Sequence, residues 1–295
     1  MTRCTLPAFV AAAILATACG GNDNAQGDTA GTAQGTAPAA TQSAQASPNV
    51  VTFTAKDFVF EGPTEIPAGV TTIQLVNQGP ELHHATLVKL EEGRTGSDYI
   101  QALRPGAPPP AWAQTLGGPN APAPGESANA TQTLEAGSYA FVCFIPSPDG
   151  TPHFAKGMVH NFRVTPTSTA SAAEPQADIV MRLDDYKFEL SRPITAGTHT
   201  FRVENVGPQH HEIQLMQLAP GKTAKDVIQW VHAPKGPPPG KPLGGIAGTD
   251  PNTHAYFTAN ITPGEYALIC FLPDHKDGKE HYEHGMVQQI TVSKR

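Results

Sequence analysis

Two stretches of the chain hold the residues best suited to chemistry. Tyr139 to Val159 reads YAFVCFIPSPDGTPHFAKGMV, and Tyr266 to Val287 reads YALICFLPDHKDGKEHYEHGMV. In each, a Cys ends an apolar run and a polar loop leads to His, four residues, and Met: Cys143, His153 and Met158, then Cys270, His281 and Met286. A thiolate, an imidazole and a thioether are soft and borderline donors, a set that suits copper. A second imidazole has to come from elsewhere in each unit. NQGPELHHATLVKL (Asn77 to Leu90) and NVGPQHHEIQLMQL (Asn205 to Leu218) place His83 and His211 at matched positions, where a turn feeds the next strand. Two imidazoles and a thiolate would then make a trigonal plane, with Met as a weak axial ligand.

The elements that must position these residues come twice. His83 and His211 are 128 residues apart, as are His153 and His281 and Met158 and Met286, while a one-residue indel brings Cys143 and Cys270 to 127. Such internal repetition defines the architecture before any single element does. The units span 49–165 and 178–295, joined by a Thr/Ser/Ala-rich linker over 166–177. VTFTAKDFVF, GVTTIQLVNQG and ATLVKL, with their counterparts DIVMRLDDYKFEL, GTHTFRVENVG and EIQLMQL, read as strands separated by Gly, Pro and Asn turns. ANATQTL, SYAFVCF and GMVHNFRV follow in the first unit, and YFTANIT, EYALICF and GMVQQITV in the second. Six or seven short strands in each unit predict an all-β protein of two tandem Greek-key β-sandwiches.

LEAGSY and ITPGEY resemble the tyrosine corner of such sandwiches, which gives Tyr139 and Tyr266 a structural role. The helical signal lies in the long connection after the third strand of each unit. There Thr95 and Asp98, and Thr223 and Asp226, form capping patterns ahead of about two turns of apolar periodicity. Pro108 to Pro110 and Pro237 to Pro239 read as extended, rigid cover, with a docking segment for a partner domain as the other possibility.

The chain is long enough, at 295 residues, for about two domains. Its net charge of -7 and lack of a basic run exclude nucleic acid as an expected partner. The segment 1–19, MTRCTLPAFVAAAILATAC, reads as a secretory signal too short to span a bilayer. Its end resembles the bacterial lipobox, which implies acylation of Cys19, although Leu15 stands one position further from the Cys than that pattern places it. Residues 20–48 have almost no large apolar side chains and read as a flexible tether. Together these predict an exported protein, periplasmic or in the outer cell envelope, held at a membrane by an N-terminal lipid anchor.

The Asn-x-Gly-x-x-x-His turn, followed by Cys and His-x-x-x-x-Met late in the unit, resembles the cupredoxins, or blue copper proteins. The likeness covers essentially everything after Pro48. It implies a copper ion in each unit, held by His83, Cys143, His153 and Met158 and by His211, Cys270, His281 and Met286. It further implies electron transfer with a redox partner protein. Two departures stand out: the Cys-to-His loops are longer than in the small carriers, and His84 or Glu212 follows the first ligand where those carriers have Asn. Copper enzymes of the same family need ligands that are missing here. Val142 and Ile269 occupy the position of a nitrite reductase's type 2 His, and no His-Cys-His element supports a trinuclear cluster. The expectation is therefore a protein that is not an enzyme.

Other readings stay open at this point. Cys143 and Cys270 could form a disulfide or be inert buried thiols, and Met158 and Met286 could be ordinary core residues. The protein could carry or store copper without redox turnover, or be a metal-free interaction module. His84, His210, His275 and His284 have no assigned role, the last two reading as solvated. The second loop is longer and richer in His, so unit two is expected to depart further from ordinary blue copper behaviour.

Overall fold

The computed structural model describes residues 47–104, 108–167 and 172–294. Cys4, Cys19, nearly all of the 20–48 tether and part of the 166–177 linker lie outside them. The first repeat contains β1 (Asn49–Lys56), β2 (Val59–Glu61), β3 (Glu65–Pro67), β4 (Gly69–Asn77) and β5 (Thr86–Leu90). After α1 (Gly96–Ala102) come β6 (Ala113–Gly117), β7 (Ser127–Leu134), β8 (Gly137–Val142) and β9 (Val159–Thr165). The second repeats this order without a counterpart of β3, beginning with β10 (Ile179–Asp184), β11 (Lys187–Leu190), β12 (Gly197–Asn205) and β13 (His211–Leu218). It ends with α2 (Ala224–His232), β14 (Gly240–Thr249), β15 (His254–Ile261), β16 (Gly264–Ile269) and β17 (Val287–Val292).

Each repeat is a two-sheet sandwich. Parallel pairing of β1 with β4, and of β10 with β12, closes the Greek key on one sheet, while β5–β8–β9 and β13–β16–β17 run antiparallel on the other. Alternation along β1 and β4 turns Phe53, Ile73 and Leu75 inward to meet Phe141 and Cys143 from β8 and the residue after it. The second core is built from Met181, Phe201, Val203, Leu215 and Leu268, with Cys270 and Met286.

The two sandwiches share their sheets. β7 pairs with β15 at Thr131 and Tyr256, and β6 with β14 at Leu116 and Thr249, which gives continuous sheets of eight and nine strands. The Asn129 side chain supports the first seam by donating to the Thr258 carbonyl at 2.8 Å and accepting the Thr258 N–H at 2.9 Å. Such pairing covers four strand edges, those of β6, β7, β14 and β15, that would otherwise be exposed templates for association.

The runs read as single strands over 51–60 and 178–190 are hairpins instead. Each breaks at an Asp-aromatic pair, Asp57-Phe58 and Asp185-Tyr186, and that turn brings an Asp to the site. Both helices carry the expected capping box. Thr95 and Thr223 accept the N–H of Asp98 and Asp226, whose carboxylates accept the Thr N–H at 2.8 Å in return. The corners also form: the Tyr139 hydroxyl donates to the Glu135 carbonyl and that of Tyr266 to the Thr262 carbonyl, each at 2.8 Å.

Candidate copper sites

The Asn-x-Gly turn is built by its own side chain. Asn77 Oδ1 accepts the Gly79 N–H at 3.0 Å and its Nδ2 donates to the Glu81 carbonyl at 2.8 Å; Asn205 does the same with Gly207 and Gln209 at 3.0 and 2.9 Å. Glycine is required because the imidazole passes close by. A Cβ on Gly79 would sit 2.6 Å from His83 Nε2, and one on Gly207 2.6 Å from His211 Nε2.

The loop after each Cys is folded back on itself. Cys143 N–H donates to the Met158 carbonyl, Phe154 N–H to the Cys143 carbonyl and His153 N–H to the Ile145 carbonyl, at 3.3, 2.9 and 2.9 Å. Met286, Tyr282 and Leu272 complete the same pattern around Cys270 and His281. The extra residue of the second loop lies between Pro273 and Glu280 and leaves this pattern untouched.

The outcome is two fully buried groups, His83, Cys143 and His153 in site one and His211, Cys270 and His281 in site two, with ligand atoms within 4.8 Å of one another in each. His83 Nδ1 and His153 Nδ1 lie 3.1 Å apart, and Cys143 Sγ lies 3.4 Å from the latter. The matching distances in site two are 3.1 and 3.3 Å. Met158 and Met286 are fully buried in the same cores as their Cys. Both cysteines are free thiols, so the disulfide alternative is excluded.

Outer partners fix which nitrogen faces inward. His83 Nε2 lies 3.3 Å from Asp57 Oδ1, His153 Nε2 2.9 Å from Glu81 Oε2, and His211 Nε2 2.8 Å from Asp185 Oδ1. A carboxylate accepts only from N–H, which assigns the proton to Nε2 and leaves a bare lone pair on Nδ1. In site one, two such lone pairs face each other beside a thiol, an arrangement that a cation satisfies and that neutral hydrogen bonding cannot. Burial, joined at site one by the neighbouring His153, holds His83 and His211 below the usual imidazole range, so both are neutral at pH 7. Burial pushes the Cys143 thiol up to about 12 and raises that of Cys270 as well. The thiols therefore hold their protons until a cation displaces them. The donor set and its carboxylate-imidazole shell fit copper.

Sequence reasoning left His84 and Glu212 without a role, and both have one. His84 Nε2 accepts the Phe144 N–H at 2.9 Å, and Glu212 Oε1 accepts the Phe271 N–H at 3.0 Å. They anchor the backbone just after each Cys from the position after the first ligand. Burial holds His84 down at about 4 and raises the Glu212 carboxyl to about 7. Asp57 and Asp185 were also missed, although they recur at the 128-residue offset and could have been found from it. His284 is exposed as expected and bonds Asp277 at 3.1 Å, whereas His275 is half-buried, with its ring 5.5 Å from that of His210.

No protein-family model and no curated protein matches the chain. Among solved structures it is similar to auracyanin A, a "blue" copper protein from Chloroflexus aurantiacus, at 20% identity, 41% of this chain, 100% of that one and a TM-score of 0.28. Auracyanin from Roseiflexus castenholzii gives 23%, 41%, 99% and 0.27. The blue copper oxidase from Nitrosomonas europaea gives 14%, 83%, 86% and 0.25. The architecture and the buried donors together describe a duplicated cupredoxin-like chain in which each repeat holds a His-Cys-His group fitted to type 1 copper.

Proposed function

We propose that the chain is an exported electron-transfer protein with two mononuclear type 1-like copper sites. The observation that carries this reading is the convergence of two imidazoles on one buried thiol, twice over, with both rings tethered outward at site one and His211 tethered at site two. Copper held there supplies a one-electron couple. His83, Cys143, His153 and Met158 would hold the ion in the first repeat, and His211, Cys270, His281 and Met286 in the second. Asp57, Glu81 and Asp185 hold the rings in position, and the folded loop limits rearrangement between oxidation states. His84 N–H and Glu212 N–H donate to the two Cys sulfurs, the latter at 3.4 Å, and so stabilise thiolate charge.

The protein works with a separate redox partner rather than as an enzyme, because Val142 and Ile269 stand where a second catalytic copper would need His. Cys19 carries the lipid that tethers it to a membrane. Copper(II) titration tests the copper reading. Two equivalents and an intense visible thiolate-to-copper band are expected, the band disappearing in Cys143→Ser with Cys270→Ser. Uptake without the band would favour a carrier or store, and no stoichiometric uptake would remove copper altogether.

A further inference from the structure

The repeats meet where the loop after β6 lies against β14. Asn120 N–H donates to the Gly245 carbonyl at 3.1 Å and Ala247 N–H to the Gly118 carbonyl at 3.0 Å, on either side of the Pro119–Ile246 bridge. Asn120 and Ala247 thus occupy matched positions about the seam, but only one of them has a polar side chain. That side chain is buried and reaches both halves of the molecule. Its Nδ2 donates to Glu212 Oε2 at 3.3 Å, and its other end is hydrogen-bonded to His84. His84 Nε2 is already taken by the Phe144 N–H, so His84 uses its Nδ1–H for this bond.

A continuous buried chain therefore runs from the amide after Cys143, through His84, Asn120 and Glu212, to the amide after Cys270. The same two residues donate their backbone N–H groups to the two sulfurs. His84, Asn120 and Glu212 are each at most 6% exposed, so solvent does not interrupt it. Neither repeat alone contains this connection. Asn120 also ties the backbone of the seam, its Nδ2 donating to the Ile213 carbonyl at 3.2 Å and its Oδ1 accepting the Ala121 N–H at 2.9 Å, and a buried polar network stabilises only when every member is satisfied in this way.

Building on the copper reading, we infer that the His84–Asn120–Glu212 bridge couples the two sites into one redox pair, with Asn120 as the positioning residue that connects them. One electron leaves copper(I) at one site, which becomes copper(II), and reduces copper(II) at the other to copper(I). No bond or proton changes place, and no further reactant is needed.

The full chain provides the test, first without metal. Glu212→Gln is expected to shift the amide NMR resonance of Phe144, on the far side of the bridge, and to leave it in place when Asn120→Ala is also present. A Phe144 resonance that ignores Glu212→Gln, or that moves equally without Asn120, overturns the proposal whatever the copper result. In the two-copper protein, partial reduction should be followed by exchange between the sites at a rate independent of protein concentration. Asn120→Ala should slow that phase at least about tenfold, equivalent to about 1.4 kcal/mol of barrier, with both thiolate bands retained. Exchange that scales with protein concentration overturns the proposal alone. Absence of both bands overturns the copper reading and the electron route with it. Asn120→Ser serves in both arms should Asn120→Ala not fold.

Discussion

Site one ties His153 to Glu81 at 2.9 Å, whereas in site two the matching His281 Nε2 is buried and has no hydrogen-bond partner among the described residues. The carboxylate has not been lost but moved. Position 81 is Glu and its counterpart 209 is Gln; position 147 is Ser and its counterpart 274 is Asp. Asp274 stops 4.0 Å short of His281 because Tyr186 and Gln209 hold its Oδ2, at 2.5 and 2.8 Å. Burial works to raise the Asp274 carboxyl, but those two donors and the amides of Lys276 and Asp277 outweigh it and keep the group ionised. A carboxylate that accepts an imidazole N–H makes the ring a better donor to a cation, so two sites with the same His and Cys donors should differ in how strongly they bind copper(II). Site two should be the weaker for copper(II) and the higher in potential, by about 59 mV for each tenfold in relative affinity.

Removing one thiol at a time has the largest effect and isolates the two halves of the comparison. Cys143→Ser is expected to abolish the thiolate band of site one and leave that of site two, and Cys270→Ser the reverse. Two spectra that sum to the wild-type spectrum would show each site intact alone; EPR of each variant then reads its geometry. Identical spectra and potentials would contradict the difference argued from Glu81 and Asp274.

Exchanging the outer carboxylates comes next. Glu81→Gln removes from site one the carboxylate that His281 lacks at site two and should cost about 10–100-fold in copper(II) affinity. Gln209→Glu with Asp274→Ser gives site two the arrangement of site one and should recover a similar factor. Competition with a copper chelator in the single-Cys backgrounds measures both. An unchanged affinity after Glu81→Gln would mean that the His153 contact is only structural.

Much of this comparison was legible in the sequence, and its unequal parts show why. His83, Cys143 and His153 could be read because they recur in register with His211, Cys270 and His281, and repetition filters chance. Asp57 and Asp185 were equally repeated, yet they sat unread inside runs taken as continuous strands. A two-residue turn does not break the alternation that marks a strand. Glu81, Asp274 and Asn120 were out of reach for a different reason. Each acts at one site or at the seam only, so no repeat marks it, and its role follows from a contact across sequence separations of 72, 88 and 92 residues, to His153, Tyr186 and Glu212. The shared sheets escaped for the same reason, since the seam rests on single pairings between β7 and β15 and between β6 and β14.

The thiols should not discriminate between the sites, and pH can show it. Burial raises both above the ordinary thiol value, so at pH 7 each metal-free Cys is protonated while His83 and His211 are already neutral. Copper(II) therefore displaces about one proton per site, and the apparent affinity should rise about tenfold per pH unit below the thiol pKa. Calorimetry in buffers of different ionisation enthalpy counts the protons. Equal counts at both sites would place their difference in the imidazole shell, because His281, held down at about 4 by burial and by His211, is already neutral at pH 7; a second proton released at site two would contradict that assignment.

The smallest expected contrast lies in the tyrosine corners, well away from either thiol. Tyr139 and Tyr266 are equally buried, at 1% exposure, and each donates to a carbonyl four residues earlier. Tyr266 also accepts the Thr262 N–H at 3.0 Å, a bond Tyr139 lacks. Tyr139→Phe should cost about 1 kcal/mol, the net worth of one neutral hydrogen bond, and Tyr266→Phe should cost more because it leaves a backbone donor unpaired as well. In a cooperative unit of this size each kilocalorie lowers Tm by about 2–4 °C. Because β6–β14 and β7–β15 join the sandwiches into shared sheets, both variants should shift one common transition. Two separate transitions, each moved by its own Tyr, would mean that the seam does not bind the repeats into one folding unit.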